Sequence, residues 1–303
     1  MGLRMDKENC ETYRYGVVVL NYKDYMLTIS CVNKLKSLGC GLKIVVVDNN
    51  SNNDSFTRLS EAFLGDTMVT VLKSNMNRGY AAGNNIGLKY LVRNHRGISY
   101  LCVMNPDVEV EDALVFDCLK RSLENDAYLA AVSPIMLLNG KADKAQCGWR
   151  IPNKYEVVKN HFVLGKKKVR GVRFHKHGVC RCEAIPGSFF MIKKKVLVKI
   201  DYLDEGTFLY NEENIMGIKI KRLGMYCGVC VECNYLHLHK VDGSDRTLMS
   251  VLKMYKYGNQ SRLYMCKKYY SIGVFLMVAA VSAINYPIII IRHFMGRVKR
   301  WTK

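Results

Sequence analysis

Apolar and polar positions alternate in blocks over the first hundred or so residues. Tyr15-Gly16-Val17-Val18-Val19-Leu20 is an unbroken apolar run, as in a parallel strand buried on both faces. Asp24 to Leu38 follows at helical spacing, and Gly39 and Gly41 mark its end. Lys43-Ile44-Val45-Val46-Val47 predicts a second strand, running into a polar turn, Asp48 to Asp54, that can also cap a helix. Met68 to Leu72 predicts a third strand, Ala81 to Val92 a helix, and Ser99 to Met104 a fourth strand. That order predicts a parallel sheet with right-handed crossovers. Ligands bind beyond the carboxyl ends of such strands, where Asp48 and Asp107 fall.

Beyond the fourth strand the pattern loosens. Leu137 to Arg181 is basic and irregular, either a solvated face or an insert facing an acceptor. Cys182 to Ile192 reads as a strand interrupted by Pro186-Gly187-Ser188, Asn214 to Leu223 as a helix ended by Gly224, and Met225 to Leu238 as a strand. Ser271 to Ile291 carries no charge and is long enough to cross a bilayer. Asn285 and Pro287 interrupt it, and proline breaks helical hydrogen bonding. Both flanks are basic, with Lys267-Lys268 before it and Arg292, Arg297, Lys299, Arg300 and Lys303 after. Keeping both flanks on the cytoplasmic side predicts a re-entrant or interfacial anchor on an anionic leaflet rather than a single span. The competing reading is a buried C-terminal helix of a soluble protein.

Composition narrows the field. At 303 residues and 49% hydrophobic, the chain can bury a sizeable core, which excludes wholesale disorder. A net charge of +20 suits an anionic partner: nucleic acid, a phosphorylated substrate or an acidic membrane. Met1 to Arg14 has no apolar stretch, so no signal peptide is expected. The 12 cysteines, with Cys31, Cys102 and Cys118 in apolar segments, indicate a reducing compartment. Cys227, Cys230 and Cys233, with His237 and His239 after them, make a zinc site conceivable. On a strand, however, spacings of three send successive cysteines to opposite faces, which favours packing.

Two segments carry candidate chemistry. Asn105-Pro106-Asp107 puts a carboxylate just past the fourth strand, where it can hold a divalent metal. Phe208-Leu209-Tyr210-Asn211-Glu212-Glu213 puts two adjacent carboxylates after an aromatic turn, where one can act as general base. Plainer roles compete: a turn for Asn-Pro-Asp, helix-dipole stabilisation for the glutamates, a helix cap for Asp48.

Six motifs in order add to this: Val17-Val18-Val19-Leu20-Asn21-Tyr22; Val46-Val47-Asp48-Asn49-Asn50-Ser51; Asn77-Arg78-Gly79-Tyr80-Ala81-Ala82-Gly83-Asn84-Asn85-x-Gly87; Asn105-Pro106-Asp107; Pro186-Gly187-Ser188-Phe189-Phe190-Met191; and Leu203-Asp204-Glu205 through Glu213. With a late histidine, His239, and Gly243-Ser244, they resemble inverting family-2 glycosyltransferases of the rhamnosyltransferase-like branch over residues 15 to 270. The resemblance implies a GT-A-type α/β fold: a Rossmann-like, mostly parallel central sheet flanked by helices, with a membrane-associated helical tail. It implies an extension at 1–14, a catalytic domain at 15–245 (nucleotide-sugar half 15–135, acceptor half 136–245) and a tail at 246–303. It also implies transfer of one sugar, with inversion, from a nucleotide donor (dTDP-rhamnose or a UDP-hexose) to a glycan or lipid-linked glycan in surface polysaccharide synthesis. The expected place is the inner face of a bacterial cell membrane.

By the same resemblance, Asn21, Asp48, Asn50, Arg78, Gly79, Gly83, Asn84, Asn105 and Gly187 bind substrate. Asp107 and His239 hold Mg2+ or Mn2+, with His237 an alternative to His239. Asn105 replaces the first carboxylate of a full Asp-x-Asp pair. The family's usual Glu-Asp is Glu212-Glu213 here, which makes Glu213 the base and leaves Glu212 a competitor. The glycines permit close backbone approach to phosphates, or tight helix–sheet packing. No nucleic-acid motif accompanies the charge, so no nucleic-acid partner is expected. A nucleotidyltransferase would want a glycine-rich, lysine-bearing loop where Asn21-Tyr22-Lys23-Asp24 stands.

Overall fold

The computed structural model describes residues 13–142, 144–164, 171–175, 177–238 and 247–301. Strand β1 (Tyr15–Asn21), helix α1 (Tyr25–Ser37), β2 (Leu42–Asp48), α2 (Ser55–Ala62), β3 (Val69–Lys73), α3 (Tyr80–Asn94) and β4 (Tyr100–Met104) form the first half. Next come β5 (Val108–Glu109), α4 (Leu114–Asn125), β6 (Leu129–Leu138), β7 (Lys141–Ala142), α5 (Lys144–Cys147) and α6 (Lys154–His161). Then follow β8 (Val179–Cys182), β9 (Phe189–Lys193), α7 (Lys194–Lys199), α8 (Glu212–Arg222) and β10 (Tyr226–His237). Helices α9 (Leu248–Met265) and α10 (Ile272–Trp301), joined by a π-helical turn at Cys266–Tyr270, complete the chain.

The main sheet runs β3-β2-β1-β4-β9-β6-β10-β5. Its first four strands are parallel, as the block pattern predicts. Strand β9 then runs antiparallel to both β4 and β6, while β6 and β10 are parallel, so the whole sheet is mixed. The interrupted strand at Cys182–Ile192 is two strands with different partners: β8 pairs with β10, and β9 with β4 and β6. Register fixes what lies at the sheet's edge. Asn21 pairs with Asp48, Val19 with Met104, Met104 with Phe189, and Val108 with His237. Asn21, Asp48, Asn105, Asp107, Gly187 and His237 therefore share one edge of the sheet, at the carboxyl ends of β1, β2, β4 and β10.

Two expectations change. Cys230 and Cys233 do not diverge: a register shift falls between Cys230 and Asn234, and the thiol of Cys233 beside Cys230 draws the Cys230 thiol below its ordinary range. Cys227, Cys230 and Cys233 all lie in the core. In the tail, α10 runs through Asn285 and Pro287 without a break. Pro287 deprives the Ala283 carbonyl of its helical donor, but the rest of the helix is held from outside. The Asn285 side chain donates to the His161 carbonyl at 2.8 Å and accepts from the Val163 amide at 3.0 Å. The Ser282 hydroxyl lies 2.8 Å from His161 Nε2. Polar residues that interrupt the apolar run thus face α6 and α9.

Candidate active site

Two cavities meet at the sheet edge. The smaller, about 570 Å3, is lined by Asn21, Gly79, Asn105, Asp107 and Phe208, among others. The larger, about 760 Å3, shares Tyr80, Asn105 and Asp107 with it and adds Gly187, Glu212, Glu213 and His237. Asp48, Asn50, Arg78, Gly83 and Asn84 line neither.

Each of those five has a local reason. Asp48 is fully buried; its carboxylate accepts from the Asn21 amide at 2.7 Å and from the Ser51 amide at 3.1 Å, so it orients Asn21. Asn50 follows it, exposed, in the left-handed region at φ 55°. Arg78 is exposed and pairs with Glu205 at 3.2 Å. A Cβ on Gly83 would lie 2.6 Å from Leu20, and the room there serves the packing of α3 on β1. Asn84 is buried in α3 and donates to the Tyr80 carbonyl at 3.0 Å. Gly79 is different: its φ of 99° is open to glycine but costly for an L side chain, and a Cβ would strike the Phe208 backbone. The Tyr80 amide then donates to the Phe208 carbonyl at 2.8 Å, tying the two loops together.

Tyr80 links the cavities. Its hydroxyl lies 2.9 Å from Asn105 Oδ1 and 2.7 Å from the Gly187 carbonyl. Burial, then the charges of Glu212 and Glu213, hold its pKa well above the phenol value, so it stays a donor. The sequence offered no signal for this role beyond the tyrosine's place in a motif. Asn105 is thereby a linker between loops rather than an unengaged amide.

Asp107 and His237 converge from β5's start and β10's end. His237 Nε2 lies 3.3 Å from Asp107 Oδ2, and the Leu238 amide donates to the Asp107 carbonyl at 2.8 Å. Both side chains are part-open to the larger cavity. One carboxylate and one imidazole side by side at the cavity wall would suit a divalent ion of the Mg2+ or Mn2+ kind. His239 lies outside the described residues, so of the two late histidines His237 is the one seen at this position.

The glutamates open α8. Tyr210 and Asn211 before them both sit in the left-handed region, at φ 69° and 70°. Asparagine tolerates this, but tyrosine at such angles costs roughly 1 kcal/mol or more. Contact between the Phe208 and Tyr257 rings, 4.5 Å apart, helps hold the loop. Glu212 is 8% exposed and its Oε2 has no hydrogen-bond partner among the described residues. Burial, then the charge of Glu213, push its pKa well up. Glu213 is less buried, lies against Gly187 and accepts from the Gly187 amide; burial raises its pKa too. Burial thus raises the proton affinity of both carboxyls, and of Glu212 the more.

Helix α9, expected as part of a separate tail, walls both cavities. Ser250, Lys253, Met254 and Tyr257 line the smaller and Met254, Arg262 and Met265 the larger. The expected boundary at 245/246 therefore does not separate site from tail. The sequence hid this because α9 carries no clean apolar stripe.

Known proteins place this arrangement. Residues 17–182, more than half the chain, match the family described as Glycosyl transferase family 2. The low-salt glycan biosynthesis hexosyltransferase Agl10 of Haloferax volcanii is 23% identical over 228 residues, covering 75% of this chain and 68% of the relative. Among solved structures, GalNAc-T7 with UDP, GalNAc and Mn2+ superposes with a TM-score of 0.57 at 18% identity. That match covers 80% of this chain but only 48% of the GalNAc-T7 chain. The mannosyltransferase PcManGT of Pyrobaculum calidifontis, with GDP-Man and Mn2+, superposes at 0.50 with 13% identity over 95% of this chain and 81% of its own. Family match, fold and the carboxylate-lined edge agree that this chain belongs to glycosyltransferase family 2.

Proposed function

We propose that the chain transfers one sugar, with inversion, from a nucleoside diphosphate donor to a hydroxyl of a glycan or lipid-linked glycan, in surface polysaccharide synthesis. One observation carries the reading: the larger cavity holds Glu212 and Glu213 and opens onto the edge bearing Asp107 and His237. The donor's nucleotide lies in the smaller cavity, against Asn21, Gly79 and α9, and the acceptor in the larger. Both solved relatives were captured with Mn2+ and a nucleotide, which supports the donor class. The rhamnosyltransferase-like motifs favour dTDP-rhamnose, with UDP-hexoses as the other donors to test.

Asp107 and His237 would hold a divalent ion; when bound, it neutralises charge on the departing diphosphate. Glu213 takes the proton of the acceptor hydroxyl, whose oxygen bonds to the anomeric carbon as the bond from that carbon to the diphosphate breaks. The diphosphate leaves with the electron pair. Glu212, whose proton affinity burial raises the more strongly, is the one disposed to stay protonated, which leaves the less buried Glu213 as the base. Tyr80 keeps the two loops at working distance.

Attachment to an anionic membrane surface belongs to the same reading. Ile272–Met295 is long and apolar enough to cross a membrane, with mean hydropathy 2.3. One side of it spends Ser282 and Asn285 on the protein, while Ile272, Leu276, Ile284, Ile291 and Phe294 stand exposed. A helix docked on one side and apolar on the other lies in the interface, with the catalytic domain on the cytoplasmic face.

Donor hydrolysis and transfer across a panel of nucleotide sugars, with the product anomer read by NMR, tests the proposal. An inverted anomeric configuration with dTDP-rhamnose or a UDP-hexose is expected. Retained configuration, or no turnover of any nucleotide sugar, would overturn it.

A further inference from the structure

Arg262 lines the larger cavity from α9, and no carboxylate among the described residues forms an ion pair with it. Other cations of the site loops and tail have carboxylate partners. Arg150 pairs with Glu156 at 2.5 Å, Arg78 with Glu205 at 3.2 Å and Lys268 with Asp204 at 2.9 Å. Arginine does not give up its proton, so Arg262 keeps a charge that burial disfavours.

Its surroundings hold it in place without neutralising it. Arg262 Nη1 lies 2.7 Å from His161 Nδ1. A guanidinium only donates, so that imidazole nitrogen accepts, and His161 Nε2 carries the hydrogen toward Ser282 of α10 at 2.8 Å. His161 is therefore neutral. It is stacked on Tyr255, with the rings 5.9 Å apart and 3° from parallel. Three residues from three helices, His161, Tyr255 and Ser282, thus orient a cation for which the described residues supply no counter-charge.

We propose that the larger cavity takes an acceptor bearing a phosphate or diphosphate group, and that Arg262 pairs with that group and sets acceptor specificity. The inference rests on reading the larger cavity as the acceptor side. A guanidinium matches phosphate with two parallel hydrogen bonds. Glu212 and Glu213 also line the cavity and repel an anion, so the phosphate goes to Arg262 and the reacting hydroxyl to the glutamates. The cavity, about 760 Å3, has room for a sugar and its phosphate. Arg262 also stands beside the contact with α10, the helix with the exposed apolar face, so a lipid-borne phosphate would enter from that side.

The test uses the full-length protein in detergent. UDP binding with Mn2+ is measured first, and phosphate probes are then titrated with UDP and Mn2+ saturating. Farnesyl phosphate is expected to bind the wild type, and Arg262→Lys less tightly, since an ammonium keeps the charge but not the two parallel bonds. Arg262→Gln should bind it at least tenfold more weakly, with farnesol and UDP affinities unchanged. Equal farnesyl phosphate affinity in Arg262→Gln and wild type, or no phosphate binding to wild type, overturns the proposal. Glucose 1-phosphate binding as tightly as farnesyl phosphate supports Arg262 with a soluble acceptor; weaker binding supports it with a lipid-borne one. Failure of UDP to bind wild type would count against the donor reading and leave the phosphate result to stand by itself. Should Arg262→Gln fail to fold, phenylglyoxal labelling of the wild type decides. Farnesyl phosphate must protect Arg262, and unchanged labelling overturns the role.

Discussion

Glu212 and Glu213 differ by one position in sequence and by environment in the fold. Glu213 lies against Gly187 and is part-open, while Glu212 is buried with an oxygen that no described residue bonds. Glu213→Gln should lower turnover by roughly 10²-fold or more with little change in donor affinity. Glu212→Gln should cost less. Steady-state kinetics on both decides; a dead Glu212→Gln beside an active Glu213→Gln would move the base by one residue. Stability supplies an independent reading. A carboxyl whose pKa is raised on folding favours the native state while protonated and costs stability as pH climbs past the ordinary carboxylate range. Glu212→Gln should therefore melt roughly 2 °C or more above wild type at pH 7.5, with the gain fading toward pH 4. A gain equal at both values would show that Glu212 is not buried as an acid. The residue types of the site were legible in the sequence, but their directions were not. Asp48, Arg78 and Asn84 stand in the right motifs, yet each is engaged within the protein by Ser51, Glu205 or the Tyr80 carbonyl. A motif gives an order along the chain, and only packing says which side chain faces a cavity.

At the scale of elements, the parallel strands were legible, β1 and β2 most clearly, because burial on both faces leaves an unbroken apolar run. The division of Cys182–Ile192 between two strands was not, because strand partners are set by distant segments. The place of helix α9 at the cavities was missed for a related reason: it is a cavity wall, mixed in polarity along its length. What pins it is Asp204, which is 8% exposed. Burial works against its charge, but bonds from Lys268, Tyr269 and Tyr264 outweigh this and hold its pKa well below the usual range. A depressed carboxylate contributes stability that is fully present above the ordinary value and is lost as pH falls through the folded one, so the clasp is intact at neutral pH. Asp204→Asn should cost about 2 kcal/mol at pH 7, a figure reduced for the exposure of Lys268, and should expose α9 and α10 to protease. Urea unfolding and limited proteolysis read both; unchanged cleavage would mean the tail is held elsewhere.

For the whole molecule, the tail is both wall and attachment. Cutting the chain at 271 removes α10 and its exposed apolar side but keeps Ser250, Lys253, Met254 and Tyr257 at the smaller cavity. That truncation should release the protein from membranes while nucleotide binding survives. Cutting at 247 removes α9 too and should weaken nucleotide binding at least tenfold. Flotation with liposomes and titration with UDP separate the two outcomes, and full-length protein that stays soluble without detergent would contradict the attachment. The central claim, that the sheet edge at Asp107 receives a nucleoside diphosphate with a divalent ion, has a more direct test. Calorimetric titration of UDP and dTDP into wild type and Asp107→Ala, with and without Mn2+, should show binding to wild type that Mn2+ strengthens at least tenfold. Asp107→Ala should lose that Mn2+ dependence while keeping its fold. Equal Mn2+ dependence in the two proteins, or no nucleotide binding to either, would contradict the account.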